Sequence, residues 1–120
     1  MEDHNVTWRI FFIYMFVLVF MLLAGIANSQ ITVKHFNAGW NKTNDVDWFM
    51  KLTDCKTKGF TDIASDVEAQ TKYKIAVVPT IIIFKDGEEV ARFQADLSFQ
   101  MVATREEVQE EIDNQLMSDF

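Results

Sequence analysis

The stretch Ile75-Ala76-Val77-Val78-Pro79-Thr80-Ile81-Ile82-Ile83-Phe84-Lys85-Asp86-Gly87-Glu88 decides how this chain folds. From Ile75 to Phe84 the side chains are nearly all apolar and many are β-branched, the composition of a strand covered on both faces. Asp86-Gly87 follows directly, and Asp-Gly between two apolar runs is the signal of a type I′ hairpin turn, whose two central residues need positive φ. The next strand, about Glu89 to Gln94, is therefore expected to return antiparallel. The chain's single proline stands just ahead of Thr80 and the isoleucine run.

Upstream, Ile31-Thr32-Val33-Lys34-His35-Phe36-Asn37 alternates and is rich in β-branched and aromatic residues, which predicts a strand closed by Ala38-Gly39. Val46, Phe49, Met50 and Leu52 fall at near-helical spacing after Thr43 or Asn44, with Asp45 and Asp47 in the first turn. They predict a helix running to about Cys55. Gly59 is expected to introduce a short strand, Phe60 to Ile63, and Asp66 to cap a helix from Val67 to Tyr73. Such βαβα alternation requires right-handed crossovers and parallel neighbours. Downstream, Thr104-Arg105-Glu106-Glu107 forms a capping box, and Val108, Ile112 and Leu116 repeat every four residues along the face that should meet the sheet.

Of the 120 residues, 49% are hydrophobic, and many of those are concentrated in one place. Residues 10–27 form an unbroken uncharged run about long enough for the ~30 Å hydrocarbon core of a bilayer. Ala27-Asn28-Ser29-Gln30 supplies the small residues that a signal peptidase accepts before Gln30. Against cleavage, Glu2 and Asp3 weaken the positive charge ahead of the run, and the run exceeds the usual signal length. Residues 1–29 are thus a cleaved signal peptide or an uncleaved transmembrane anchor, and residues 30–120 one domain outside the cytoplasm.

The formal net charge of −7 would repel a phosphate backbone, so nucleic acid is not an expected partner. With one cysteine, Cys55, no intrachain disulfide can form. The two histidines, His4 and His35, lie on opposite sides of the apolar run, and no Cys/His/Asp/Glu cluster has ligand spacing. Neither a metal nor a cofactor is expected.

Val78-Pro79-Thr80, the strand after it and Phe84-Lys85-Asp86-Gly87 resemble the Pro-Thr, strand and Phe-Lys-x-Gly hairpin of the thioredoxin family. Val33-Lys34-His35-Phe36-Asn37-Ala38-Gly39-Trp40 is similar to the strand leading to that family's Trp-Cys-x-x-Cys. The resemblance spans about Gln30 to Leu116. It implies a thioredoxin-like three-layer α/β/α fold in the order βαβαββα, with a four-stranded mixed sheet, preceded here by an apolar N-terminal helix. The family's usual first strand and helix are missing, which leaves a minimal, glutaredoxin-sized core.

In register with the motif, Asn41 and Asn44 occupy the two cysteine positions, with Lys42 and Thr43 between them. His35 stands where the family often has a buried acid, and Gln94 where it often has a glycine lining the substrate groove. Disulfide exchange needs a thiolate attacker, and asparagine supplies none. Cys55, expected near the far end of the 43–55 helix, is an inert thiol, an intermolecular cross-link or a catalytic group, in falling order of expectation.

The resemblance also implies a cis Val78-Pro79 bond. Such a turn leaves the amide and carbonyl of Val78 open to an extended chain, a form of β-augmentation, although a turn that serves the fold alone is the simpler account. Trp48 is expected in the core and Trp40 as an exposed aromatic anchor. The expected function is a redox-inactive binding module, taking a protein or extended peptide through Trp40, Asn41, Lys42, Thr43 and Asn44 and through Val78, Pro79 and Thr80. It would sit in the periplasm or on an extracytoplasmic membrane face. The alternative is a thiol-disulfide oxidoreductase acting through Cys55.

Overall fold

A computed structural model describes residues 30–118. The signal or anchor expected at residues 1–29, with its apolar helix, lies outside the described residues. Among the described residues no helix is long and apolar enough to cross a membrane.

Four strands form one mixed sheet: β1 (Ile31–Asn37), β2 (Thr57–Asp62), β3 (Thr80–Lys85) and β4 (Glu88–Gln94), in the order β2-β1-β3-β4. β1 runs parallel to β2 and antiparallel to β3, which in turn pairs antiparallel with β4 across a bulge at Ile83/Phe84. Among the described residues there are also two α-helices, α1 (Val67–Lys72) and α2 (Arg105–Met117).

β3 is an inner strand, and Thr80 through Phe84 are all buried. Because side chains alternate across a strand, the isoleucine run feeds two cores. Ile81 and Ile83 pack with Ile31, Val33, Phe49, Leu52, Val108 and Ile112 on one face. Ile82 and Phe84 pack with Phe36, Ile63, Ile75 and Val78 on the other. The sheet is therefore the middle of three layers. The 39–52 segment and α2 cover one side, and the connection holding α1 covers the other.

The hairpin has the expected turn, with φ of 52° at Asp86 and 87° at Gly87. Asp86 does more than turn the chain. Its carboxylate accepts from the Gln30 amide at 2.9 Å, while its own amide donates to the Gln30 carbonyl at 2.9 Å, fastening the start of β1. Asp66 caps α1 by accepting from the Ala69 amide, and Thr104 caps α2 by accepting from the Glu107 amide.

Three expectations need correction. The predicted helix from 43 to 55 does not form. In its place stand a 3-10 segment at Gly39–Asn44, kinked at Asn41 (φ −111°, ψ 20°), and a 3-10 helix at Phe49–Lys51. Val46, Phe49 and Leu52 are buried at intervals of three, the period of a 3-10 helix, while Met50 is exposed. Asp45 breaks the first helix with an extended ψ of 142°. In an α-helix the Val46 amide would bond to Lys42, but here it donates to Nε2 of His35 at 3.1 Å. Cys55 consequently lies not at a helix end but in the loop before β2, half-buried against the first core.

Gly59 sits within β2 rather than ahead of it, opposite Lys34, and β2 ends at Asp62. β3 begins only at Thr80, because Pro79 has no N–H for a ladder bond. Ile75 and Val78 are still buried, but in the irregular connection ahead of it.

Candidate functional site

β1 delivers its carboxyl end to a cluster of amide side chains. Asn37, buried at the last position of the strand, donates from Nδ2 to the Asn41 carbonyl at 3.0 Å and to Oδ1 of Asp45 at 2.6 Å. Asn41, only 4% exposed, donates from Nδ2 to Oδ1 of Asn37 and to the Phe99 carbonyl, both at 3.1 Å. Asn44 donates to Oδ1 of Asn41 at 2.8 Å. Each buried amide in this network thus has partners, which is what makes its burial tolerable.

Of the residues expected to bind, Trp40 is 67% exposed, and Lys42 and Thr43 are open to solvent. Trp48 is half-buried against the first core, as expected. The Val78-Pro79 peptide bond is cis. Val78, Pro79 and Thr80 present little side-chain surface, and the Thr80 hydroxyl donates to the Val77 carbonyl at 2.7 Å. Among the described residues the amide and carbonyl of Val78 have no hydrogen-bond partner. Gln94, at the end of β4, pairs with Thr80 and is exposed.

The loop after β4 joins the two expected segments. The Ala95 amide donates to the Pro79 carbonyl at 3.0 Å, and the Phe99 carbonyl accepts from Asn41. The Phe99 ring meets Trp40 edge-on, with centroids 5.2 Å apart. Asp96 shapes this loop by accepting from the Ser98 and Gln100 amides, and Phe99 adopts a φ of 62°. Phe99, Leu97 and Trp40 form an apolar exposed rim.

Sequence reasoning missed Asn37, Asp45 and Phe99. A polar residue closing a strand of buried apolar ones was a signal for Asn37. Nothing local marks Phe99, which is 58 positions from Asn41.

An open cleft of about 270 Å³ is lined by His35, Asn37, Gly39, Lys42, Asp45 and Asp62, among others. His35 is buried, with its ring against Phe49 and Phe60. Burial holds its imidazole below the ordinary value, partly opposed by Asp45. Burial also pushes the Cys55 thiol up, with Lys58 opposing, so the thiolate a nucleophile needs is disfavoured. Among the described residues no group of three or more His, Cys, Asp or Glu side chains could hold a metal ion.

The arrangement defines a thioredoxin-like α/β fold with asparagines at positions 41 and 44 of the loop after β1. Solved structures agree on the fold. A mutant thioredoxin from Halobacterium salinarum superposes with a TM-score of 0.57 at 18% identity, over 72% of this chain and 75% of that one. Thioredoxin from Schistosoma mansoni gives 0.56 at 25% identity, over 80% and 88%. The oxidised thioredoxin from Plasmodium falciparum gives 0.52 at 16% identity, over 72% and 82%. No protein-family model and no curated protein matches the chain.

Proposed function

We propose that this chain is a redox-inactive thioredoxin-like module that works outside the cytoplasm, in the periplasm or on an extracytoplasmic membrane face. It binds a protein or an extended peptide through residues 40–44 and 78–80. The observation that carries this reading is the Asn44 to Asn41 hydrogen bond of 2.8 Å at the two positions where the resembled family has its cysteine pair. A side-chain amide network there holds a loop in place but cannot attack a disulfide.

Two further features support binding. The amide and carbonyl of Val78, unpartnered among the described residues, suit an extended backbone, whose hydrogen bonds would give affinity while the Trp40 and Phe99 rings give side-chain contact. The alternative, catalysis through Cys55, is weakened by that thiol's half-burial, its raised pKa and its place in a loop away from any helix start.

An insulin-reduction assay on the wild-type chain and on Cys55→Ser separates the readings. Binding alone predicts no turnover in either protein, whereas turnover abolished by the substitution would establish the alternative. Crosslinking from native membrane and periplasmic fractions, with Trp40→Ala as control, then tests for the partner.

A further inference from the structure

We propose that His35 is an acid-sensitive latch, holding the 38–46 segment to β1 while neutral and releasing it when protonated. The argument rests on one bond. The Val46 amide can only donate, so Nε2 of His35, 3.1 Å away, must accept with its lone pair. The ring's proton is then on Nδ1, which is buried and has no partner among the described residues. A proton taken from solvent onto Nε2 would occupy that lone pair and set two donors against each other. The bond to Val46 cannot survive it.

The surroundings make the two states distinct. His35 is 1% exposed, and the Phe49 and Phe60 rings lie 5.4 and 4.6 Å from it. Across the sheet its strand partners are Phe60 on β2 and Ile81 on β3, neither of them charged. The charged groups lining its cleft are Asp45 and Lys42 from the segment itself and Asp62 from the end of β2. Of these, Asp45 is the carboxylate that favours the imidazolium.

Asp45 is also the acceptor of Asn37 at 2.6 Å, and Asn37 in turn bonds to Asn41. Protonation thus both removes the Val46 anchor and draws Asp45 away from Asn37. That change passes directly into the amide network at Asn41 and Asn44. A local charge change of this kind, acting on a segment with two arrangements, is how buried histidines serve as pH sensors. That acid would thereby weaken partner binding rests on the function proposed above, but the latch itself is read without any partner.

The test follows the full chain in detergent micelles by NMR, titrating from about pH 7.5 to about pH 5, the range histidine sensors use. The His35 ring resonances and the Val46, Asn41 and Asn44 amides should shift with one common midpoint. Protection of the Val46 amide, corrected for the intrinsic pH dependence of exchange, should fall by about tenfold or more. His35→Gln keeps an acceptor without a titrating proton and should abolish the shared transition. If that variant does not fold, Asp45→Asn serves instead, because losing the carboxylate should move the midpoint to lower pH. Amides of Val46 and Asn41 that stay fixed while the His35 ring titrates would overturn the latch. So would a ring that stays neutral throughout, or a transition unchanged in His35→Gln or Asp45→Asn.

Discussion

Asn44 and Asn41 are joined by a side-chain hydrogen bond of 2.8 Å across three positions of a 3-10 helix. The turn kinks at Asn41 (φ −111°, ψ 20°), yet the direct contact of the two side chains shows that they point at one another, as closing a disulfide of ~4.4–6.8 Å Cα separation requires. Asn41→Cys with Asn44→Cys, made in a Cys55→Ser background, should therefore close a disulfide that dithiothreitol opens. Thiol titration before and after reduction checks it, and two free thiols under oxidising conditions would mean the geometry is wrong. Some insulin reductase activity should appear, though not full activity, since His35 and Gln94 also depart from the family pattern.

Gly87 has positive φ and open space where a Cβ would go. Gly87→Val should cost about 1 kcal/mol or more from backbone strain alone, because a β-branched residue resists that conformation. Gly87→Asn should cost less, asparagine being the non-glycine residue that best tolerates the left-handed region. Urea midpoints of the two variants decide it. Equal losses would point to a clash, which the structure does not contain.

Stability should depend on His35 in a definite direction. Its folded pKa lies below the ordinary 6.5, so the unfolded chain takes up the proton first as pH falls. The stabilisation from keeping the ring neutral is complete above about pH 6.5 and is lost as pH falls from there toward the lowered folded value. Denaturant unfolding of wild type against His35→Gln at stepped pH should show the gap narrow through that window. A gap that widens on acidification would reverse the sign.

Phe99→Ala should leave the fold intact and weaken partner capture. The edge-on contact with Trp40 is worth about 0.5–1.5 kcal/mol, and its loss frees a Trp40 ring that is already largely exposed. A red-shifted tryptophan emission with a small change in melting temperature is expected. Crosslinking yield unchanged in both Phe99→Ala and Trp40→Ala would remove the rim from the proposed surface.

The parts of this fold that were legible in sequence are those whose cause is local. Asp86-Gly87 fixes its own turn, Thr104 and Asp66 cap their own helices, and the isoleucine run has no solvated side to show. The 43–55 segment misled for a reason that is not local. Val46, Phe49 and Leu52 fit a period of three as well as one of 3.6, and His35, eleven residues back from Val46, takes the amide that an α-helix would have used. The site divided in the same way. Trp40, Asn41 and Asn44 could be placed only by register with the resembled family's Trp-Cys-x-x-Cys, while Asp45 as a partner of Asn37, and Phe99 as a partner of Asn41, exist only once the sheet has closed.

The fastening of Gln30 to Asp86 has a directional consequence. β1 starts at the next residue, Ile31, and ends six residues on at Asn37, a run of about 20 Å at roughly 3.3 Å per residue. The chain entering the domain and the hairpin tip therefore share one pole, and the amide network and apolar rim occupy the other. A partner of the kind proposed, seated at the rim, would leave Gln30 and the hairpin tip uncovered.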